Sequence, residues 1–257
     1  MRVEALRRER IEMLRFCAEL DDAEWQTTSR AEGWRVQDVL AHIGSGCKAV
    51  FAPALLTVVT SRNIEQTNDV FVAQRREWAP AHVLAEYRQW SKRLAALAGG
   101  IARTPMNHMR IPLAELGRFP VGLVLGGAMA FDHHTHLRHD IAPALGRPAP
   151  DTDAVRMAVV VEWMFAVLAN QLQSARPNWL THCIAVTIDG PGGGVWEIQS
   201  SGAVTAGRSG HASTEITGRA AEFPAWATRR SAWRDHDIQI TGDAEYAALF
   251  LDNVNVI

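Results

Sequence analysis

One short segment, Asp132 to Asp140, concentrates residues that could do chemistry: four histidines and two aspartates lie within nine positions. If the segment is helical, each residue turns about 100° from the last. Asp132, His136, His139 and Asp140 then share one face. Asp132 and His136 are four residues apart, so their side chains can converge on one point. A carboxylate and an imidazole that converge in this way suit a divalent transition metal.

A third ligand must come from another helix, and His42 is the predicted one because it borders an apolar helical stripe. His42, Asp132 and His136 are expected within about 2.0–2.2 Å of one ion, most simply zinc, although nickel, iron or manganese would also suit. Three protein ligands leave open positions, as in catalytic zinc sites. Other interpretations stay open. His42 could be a hydrogen-bonded core histidine, and Asp140 could only orient a neighbouring histidine.

The elements that must position these residues are predicted from periodicity. Helical spacing dominates the first part of the chain, and strand-like alternation begins after Pro177. The sequence therefore predicts an α+β, two-domain protein: a bundle of at least four helices over residues 1–176 and a small α/β domain over residues 177–257. The predicted helices are Val3–Leu20, Val36–Phe51, Pro80–Gly100, Gly122–Ala142 and Ala154–Gln173, followed by strands at 182–189, 195–199, 214–217 and 237–241 and helices at 220–230 and 244–253.

Composition excludes several classes of function. The formal net charge is −2, with 47% apolar and 21% charged residues and no basic block, which argues against nucleic-acid binding. The first fifteen residues do not resemble a secretory signal. The most apolar segment, Met157–Ala169, is interrupted by Glu162 and is predicted to be too short for a membrane span. Three scattered cysteines predict a reducing, cytoplasmic setting. A monomer or homodimer with small-molecule partners is expected.

Other catalytic patterns are not evident in the sequence. We identified no Ser-His-Asp arrangement, phosphate loop or dinucleotide fingerprint. The glycine-rich stretch Gly190–Gly194 is predicted to join two strands as a hairpin rather than to bind phosphate.

A longer motif carries a family resemblance. The run from Gly33 and Trp34 to His42 and Ile43 reads Gly-Trp-Arg-Val-Gln-Asp-Val-Leu-Ala-His-Ile. It resembles the helix-two motif of the DinB-like, mycothiol-dependent maleylpyruvate isomerase family, Gly-Trp-Thr/Ser-Val-x-Asp-Val-x-Ala-His-Leu. The resemblance implies a DinB-like four-helix bundle and a sterol-carrier-protein-like C-terminal domain. Further matches lie at Leu20–Trp25, Asn68, Val70, Asp140–Ile141 and Ala144–Gly146, and in the second half at Gly194–Trp196, Ile216–Ala220 and Gly242–Ala244.

The resemblance also implies a ligand set. In this family a histidine ends the first motif, and a Glu-x-x-x-His pair lies on a later helix. His42 matches the first, and Asp132 with His136 matches the pair, with Asp in place of Glu. The register differs as well, because the position three residues before Asp140 is Leu137 where many members have the histidine. A one-residue slip is needed, so His133 and His139 remain rival ligands.

The implied function is a divalent-metal- and mycothiol-dependent isomerase or S-transferase that acts on a small electrophile. The metal would hold the thiol as thiolate, its nucleophilic form. Arg230 matches the arginine of a Gly-Arg pair in the family's second domain, and is predicted to reach the metal cleft and bind a carboxylate, with Arg138 as another candidate. The alternative is a non-catalytic small-molecule or lipid-binding protein with a structural or vestigial metal site.

Overall fold

The computed structural model describes residues 1–208, 210 and 212–256. The chain divides into two compact units, Met1–Asp151 and Thr152–Ile257. The first unit is mainly helical, and the second contains a mixed β-sheet with helices. The predicted α+β class with a helical N-terminal part is therefore confirmed.

The core of the first unit is built from long amphipathic helices. Helix α3 contributes almost only buried side chains, and it packs against α6 and α5. Gly44 on α3 permits a close approach, because a Cβ atom there would lie 3.3 Å from the Tyr87 Cα atom of α6. The helices are α1 (Arg2–Ala18), α2 (Asp22–Gln26), α3 (Val36–Ala49), α4 (Ala54–Thr60), α5 (Ile64–Ala73), α6 (Pro80–Ile101) and α7 (Met129–Thr135).

Two short helices and a hairpin of this unit were not predicted. Helices α4 and α5 bury almost no side chains, so they lack a strong core-facing stripe. Strands β1 (Arg110–Pro112) and β2 (Arg118–Pro120) form a short antiparallel hairpin within the helical unit. Each strand has only three residues, which is too few for alternation to be detected.

The second unit packs helices against a mixed sheet. In the described residues the strand order is β5-β4-β3-β6-β7, with β3 and β6 parallel and the other neighbours antiparallel. Phe165 of α8 stacks on Trp196 of the sheet with ring centroids 4.1 Å apart. The elements are α8 (Ala154–Ala175), β3 (Ile184–Asp189), β4 (Gly194–Ile198), β5 (Val204–Ala206), β6 (Thr214–Arg219), α9 (Phe223–Ala227), β7 (Gln239–Thr241) and α10 (Ala244–Asn253).

The observed boundary between the units differs from the predicted one because of helix α8. The sequence placed this helix in the first domain and ended that domain at residue 176, whereas the structure groups it with the sheet and begins the second unit at Thr152. Periodicity identifies a helix but not its packing partner, which explains the difference. At 22 residues, α8 is long and apolar enough to cross a membrane, whereas the apolar segment predicted from the sequence was shorter. However, 61% of the most apolar stretch of this helix is buried within the fold.

Candidate metal centre

A tight loop positions His42 by fixing the start of α3. Gly33 adopts a positive φ of 74°, and the Ser29 N–H and hydroxyl both donate to the Trp34 carbonyl. The Arg35 N–H then donates to the Asp38 carboxylate, which also accepts two bonds from the Arg35 guanidinium. This pairing satisfies an orphan N–H at the helix start. His42 follows two turns later on a buried face and is 9% exposed.

Two π-helical turns flank the α-helix that carries Asp132. The chain runs from a π turn at Leu123–Ala128 through α7 into a second π turn at His136–Ile141. The sequence predicted one regular α-helix here, because periods of 3.6 and about 4.4 residues are indistinguishable over a single turn. A π turn takes in one additional residue and often occurs at functional sites. One residue is also the size of the register difference between His136 and Asp140 and the family pattern.

The structure brings His42, Asp132 and His136 together. One potential ligand atom from each lies within 4.8 Å of the other two. Tetrahedral ligation at about 2.0–2.2 Å would place ligand atoms roughly 3.3–3.6 Å apart. Small side-chain rotations therefore suffice to enclose an ion. Two imidazoles and a carboxylate are a donor set suited to zinc and its neighbours in the first transition series.

Asp140 fixes the orientation of His136. The Nδ1 atom of His136 lies 2.7 Å from Oδ2 of Asp140, and the Asp140 side chain is fully buried. An ionised carboxylate only accepts hydrogen bonds, so Nδ1–H is the donor, and in the neutral ring Nε2 keeps its lone pair. Metal-binding histidines are commonly held by a carboxylate in this way. Asp140 can therefore orient His136 through this hydrogen bond while His136 acts as a metal ligand.

Trp34 forms one wall of the site. Its indole ring centroid lies 5.1 Å from that of His42 and 6.4 Å from that of His136. The indole N–H donates to Oδ1 of Asp69 on α5, at 2.9 Å. The Arg30 N–H donates to the Asp140 carbonyl, and this hydrogen bond connects the Trp34 loop to the π turn at His136–Ile141. The family motif placed Trp34 near His42, but nothing in the sequence identified Asp69 as its partner.

The rival histidines do not join this cluster. His133 is fully buried, and its Nδ1 lies 2.6 Å from the Met129 carbonyl. Burial lowers the pKa of His133 to about 4, with the Met129 hydrogen bond opposing the shift, so the ring is neutral near pH 7. His139 is half-buried, with its ring 6.4 Å from that of His134. Among the described residues, the one potential ligand group of three or more is that of His42, Asp132 and His136.

Arg138 is not available to bind substrate. Its Nη1 donates to Oε2 of Glu9 on α1 at 2.7 Å, and both side chains are buried. Its other nitrogens donate to the carbonyls of Pro150 and Asp151. The candidate role of Arg138 in carboxylate recognition is therefore wrong. His136 and Asp140 each lie two positions away in sequence, but the Arg138 side chain itself fixes the histidine-rich helix, residues 122–142, to α1.

Arg230 lies in the second unit, just after α9. It is half-buried, its N–H donates to the Ala225 carbonyl, and its Nη1 donates to the Thr228 hydroxyl at 2.9 Å. The predicted role of Arg230 in carboxylate binding stays a prediction.

The protein's own thiols are unsuited to act as nucleophiles. Cys17 and Cys47 are fully buried, and burial raises the pKa of Cys17 to about 12 and that of Cys47 further still. Cys183 is half-buried, and burial followed by the charge of Glu197 raises its thiol pKa. A thiolate is the reactive form of cysteine, so none of the three thiols is activated as a nucleophile at neutral pH.

Comparison with known proteins identifies the family. The family model described as the mycothiol maleylpyruvate isomerase N-terminal domain matches residues 6–142, more than half of the chain. The chain belongs to the mycothiol maleylpyruvate isomerase family. No curated protein sequence matches it.

Solved structures agree with this fold. The crystal structure of the mycothiol-dependent maleylpyruvate isomerase aligns with a TM-score of 0.60 and 16% identity, over 95% of this chain and 93% of that one. A histidine-to-alanine mutant of that protein aligns with a TM-score of 0.59. A Sterol Carrier Protein 2 Like 2 structure from Aedes aegypti aligns over 39% of this chain with 18% identity and a TM-score of 0.33. Membership of the mycothiol maleylpyruvate isomerase family supports a thiol-dependent, isomerase-type enzyme.

Proposed function

We propose that this protein is a divalent-metal-dependent isomerase or S-transferase that uses mycothiol, or a similar small thiol, against a small electrophilic substrate. One observation carries the proposal: His42, Asp132 and His136 converge, and Asp140 directs the Nε2 lone pair of His136. The family relationship supports the thiol, and the donor set supports the metal.

The residues around the site fit this chemistry. A divalent ion bound by the three groups would supply Lewis acidity, which lowers the pKa of a thiol and keeps it as thiolate. Asp140 orients the His136 ring, and the Trp34 indole lies beside both imidazoles on one side of the site. These groups arrange the site before any ligand arrives, which is how preorganised polar groups assist catalysis.

The thiol must come from outside the chain. Cys47 lies one and a half turns beyond His42 on α3, but it is fully buried and its pKa is strongly raised by burial. A protein cysteine therefore does not replace the thiol cofactor. Arg230 is proposed to bind a carboxylate of the thiol or the substrate, because a guanidinium binds carboxylates through two parallel hydrogen bonds.

The direct experiment is turnover with defined components. Purified protein loaded with Zn²⁺ is mixed with mycothiol and a panel of electrophiles that includes maleylpyruvate, and products are followed by chromatography. We expect conversion of at least one electrophile that requires both Zn²⁺ and mycothiol. Arg230→Lys and Arg230→Ala should lower turnover without changing the bound metal.

The matched controls are glutathione in place of mycothiol, apoprotein, and the variant His136→Ala. Turnover that persists without thiol or in His136→Ala would contradict the proposal. Complete inactivity of a metal-loaded protein across the panel would favour the non-catalytic alternative. A groove of about 490 Å³ lies in the second unit, and most of its lining residues are polar. Its lining comprises Gln173, Arg176, Pro177, Ser200 and Ser201.

A further inference from the structure

A second cluster of reactive side chains lies in the second unit and is independent of the metal centre. The Ser231 hydroxyl oxygen is 2.7 Å from Nε2 of His236, and Nδ1 of His236 is 3.2 Å from Oε2 of Glu222. A carboxylate only accepts hydrogen bonds, so Nδ1–H donates to Glu222. In the neutral ring Nε2 then accepts from the Ser231 hydroxyl. This is the order of nucleophile, base and orienting acid found in serine hydrolases.

Local structure explains why these three residues meet. Glu222 precedes α9, and the N–H groups of Arg230 and Ser231 both donate to the Ala225 carbonyl, which folds the chain back over the helix end. A single 3₁₀ turn at Trp233–Asp235 then returns His236 to Ser231.

A strained residue lies beside the serine. Arg229 has a φ of 57°, a left-handed conformation that non-glycine residues seldom adopt. Its guanidinium holds this geometry by donating to the carbonyls of Asp252 and Val254 at the end of α10. Strain that is fixed by surrounding contacts is characteristic of functional sites. The contacts also hold the Ser231 backbone in place.

We propose that Ser231, His236 and Glu222 form a second reactive site that cleaves activated carboxylic esters. Ser231 is the nucleophile, His236 is the general base, and Glu222 is a positioning residue. The site is accessible: Ser231 is half-buried, and the side chains of His236 and Glu222 are 16% and 29% exposed. The cluster could not be predicted from the sequence, because its three members follow no recognisable motif spacing.

The reaction balances without a cofactor. The Ser231 oxygen bonds to the ester carbonyl carbon while its proton passes to Nε2 of His236. The bond from that carbon to the leaving oxygen then breaks, and the leaving alcohol takes the proton. A water molecule attacks the acyl-serine with the same base, releasing a carboxylic acid and restoring Ser231. Aryl esters are the substrate class, because a phenol leaves readily and requires little stabilisation of the oxyanion.

A fluorophosphonate probe tests the proposal on the full-length protein. The Ser231 oxygen would bond to phosphorus and displace fluoride, leaving a stable adduct that peptide mass spectrometry can locate. We expect the adduct at Ser231 and slow hydrolysis of p-nitrophenyl acetate by the same protein. His236→Gln should lower the labelling rate about 100-fold or more, since general bases contribute roughly 10²–10⁴-fold. Glu222→Gln should lower it less.

Matched controls separate reactivity from folding. Ser201 is an exposed serine whose hydroxyl accepts from the Ala203 N–H, so Ser201→Ala should leave both readouts unchanged. Thermal melting of each variant shows whether it remains folded. The proposal is overturned if folded wild-type protein carries no adduct at Ser231, or if labelling of Ser231 is equally fast in folded His236→Gln. These readouts need neither metal nor mycothiol, so their outcome is separate from that of the proposed function.

Discussion

At the scale of single residues, the candidate metal centre depends on side chains, such as those of Asp140 and Trp34, that would not themselves bind the ion. His136 is held through Nδ1 by Asp140, and His42 and His136 share the Trp34 indole as a neighbour. The convergence of His42, Asp132 and His136 could be predicted from the family motif and helical spacing. The supporting contact of Trp34 with Asp69 could not, because the two residues lie 35 positions apart and follow no motif.

Asp140→Asn tests the support of His136. The amide removes the negative charge that stabilises the Nδ1–H tautomer, so Nε2 becomes a weaker ligand. Loss of such a supporting carboxylate typically costs 10–100-fold in metal affinity. We expect a decrease of that size in Zn²⁺ affinity, measured by competition with a chromophoric chelator. Asp22→Asn, an exposed carboxylate on α2, is the control and should bind normally. Equal affinity in folded Asp140→Asn would show that the hydrogen bond does not support metal binding.

Trp34 should report on metal binding by its fluorescence. Its ring lies beside both candidate imidazole ligands, so a paramagnetic ion such as Co²⁺ at the site should quench it. We expect saturable quenching of part of the intrinsic fluorescence in wild-type protein and loss of that component in Trp34→Phe. Trp90→Phe, which changes a tryptophan that instead packs on Phe51, should retain it. Identical quenching in wild type and Trp34→Phe would place the ion elsewhere.

At the scale of elements, the histidine-rich helix is fixed by a buried ion pair and shaped by π turns. The helical periodicity of residues 122–142 predicted the element, and it gave no sign of the π turns at either end. Elements that bury a clear stripe were predicted well, including α3, α6 and α10. The three-residue strands β1, β2 and β5 and the helices without a buried face, α4 and α5, were missed because periodicity needs repeated inward positions.

Arg138→Ala tests the ion pair between Arg138 and Glu9. Both side chains are buried, so the variant leaves a carboxylate in a poorly solvated position. Breaking one side of a buried pair typically costs about 3–5 kcal/mol. We expect a loss of that size in the free energy of unfolding, measured by urea denaturation. Replacing both partners by methionine should cost less, since no charge remains buried. A loss below about 1 kcal/mol in Arg138→Ala would contradict this account.

At the scale of the whole molecule, the sequence predicted two domains and a change of architecture between them. It could not assign α8, because an apolar helix can pack equally well against helices or a sheet. Likewise, it could not reveal that Ser231, His236 and Glu222 meet, since that contact depends on the left-handed turn at Arg229 and the 3₁₀ turn that follows. Such turns follow from tertiary contacts rather than from residue pattern.

Cysteine reactivity tests the packing within each of the two units. Cys17 and Cys47 are fully buried with raised pKa values, whereas Cys183 is half-buried. Under native conditions we expect Ellman's reagent to modify Cys183 alone, and slowly, because its thiol pKa is also raised. All three thiols should react at once in strong denaturant. Rapid native modification of Cys47 would contradict the buried α3 face on which the metal centre depends.

Metal content is the most direct test of the central claim that His42, Asp132 and His136 hold one divalent ion. Purified protein is dialysed against Zn²⁺, freed of loose metal, and measured by elemental analysis and calorimetric titration, beside His42→Ala, His136→Ala and the control His108→Ala. His108 is exposed and lies outside the cluster. We predict about one ion per chain in wild type and His108→Ala, and loss of that ion in both site variants. Full metal content in folded His42→Ala and His136→Ala would contradict the claim.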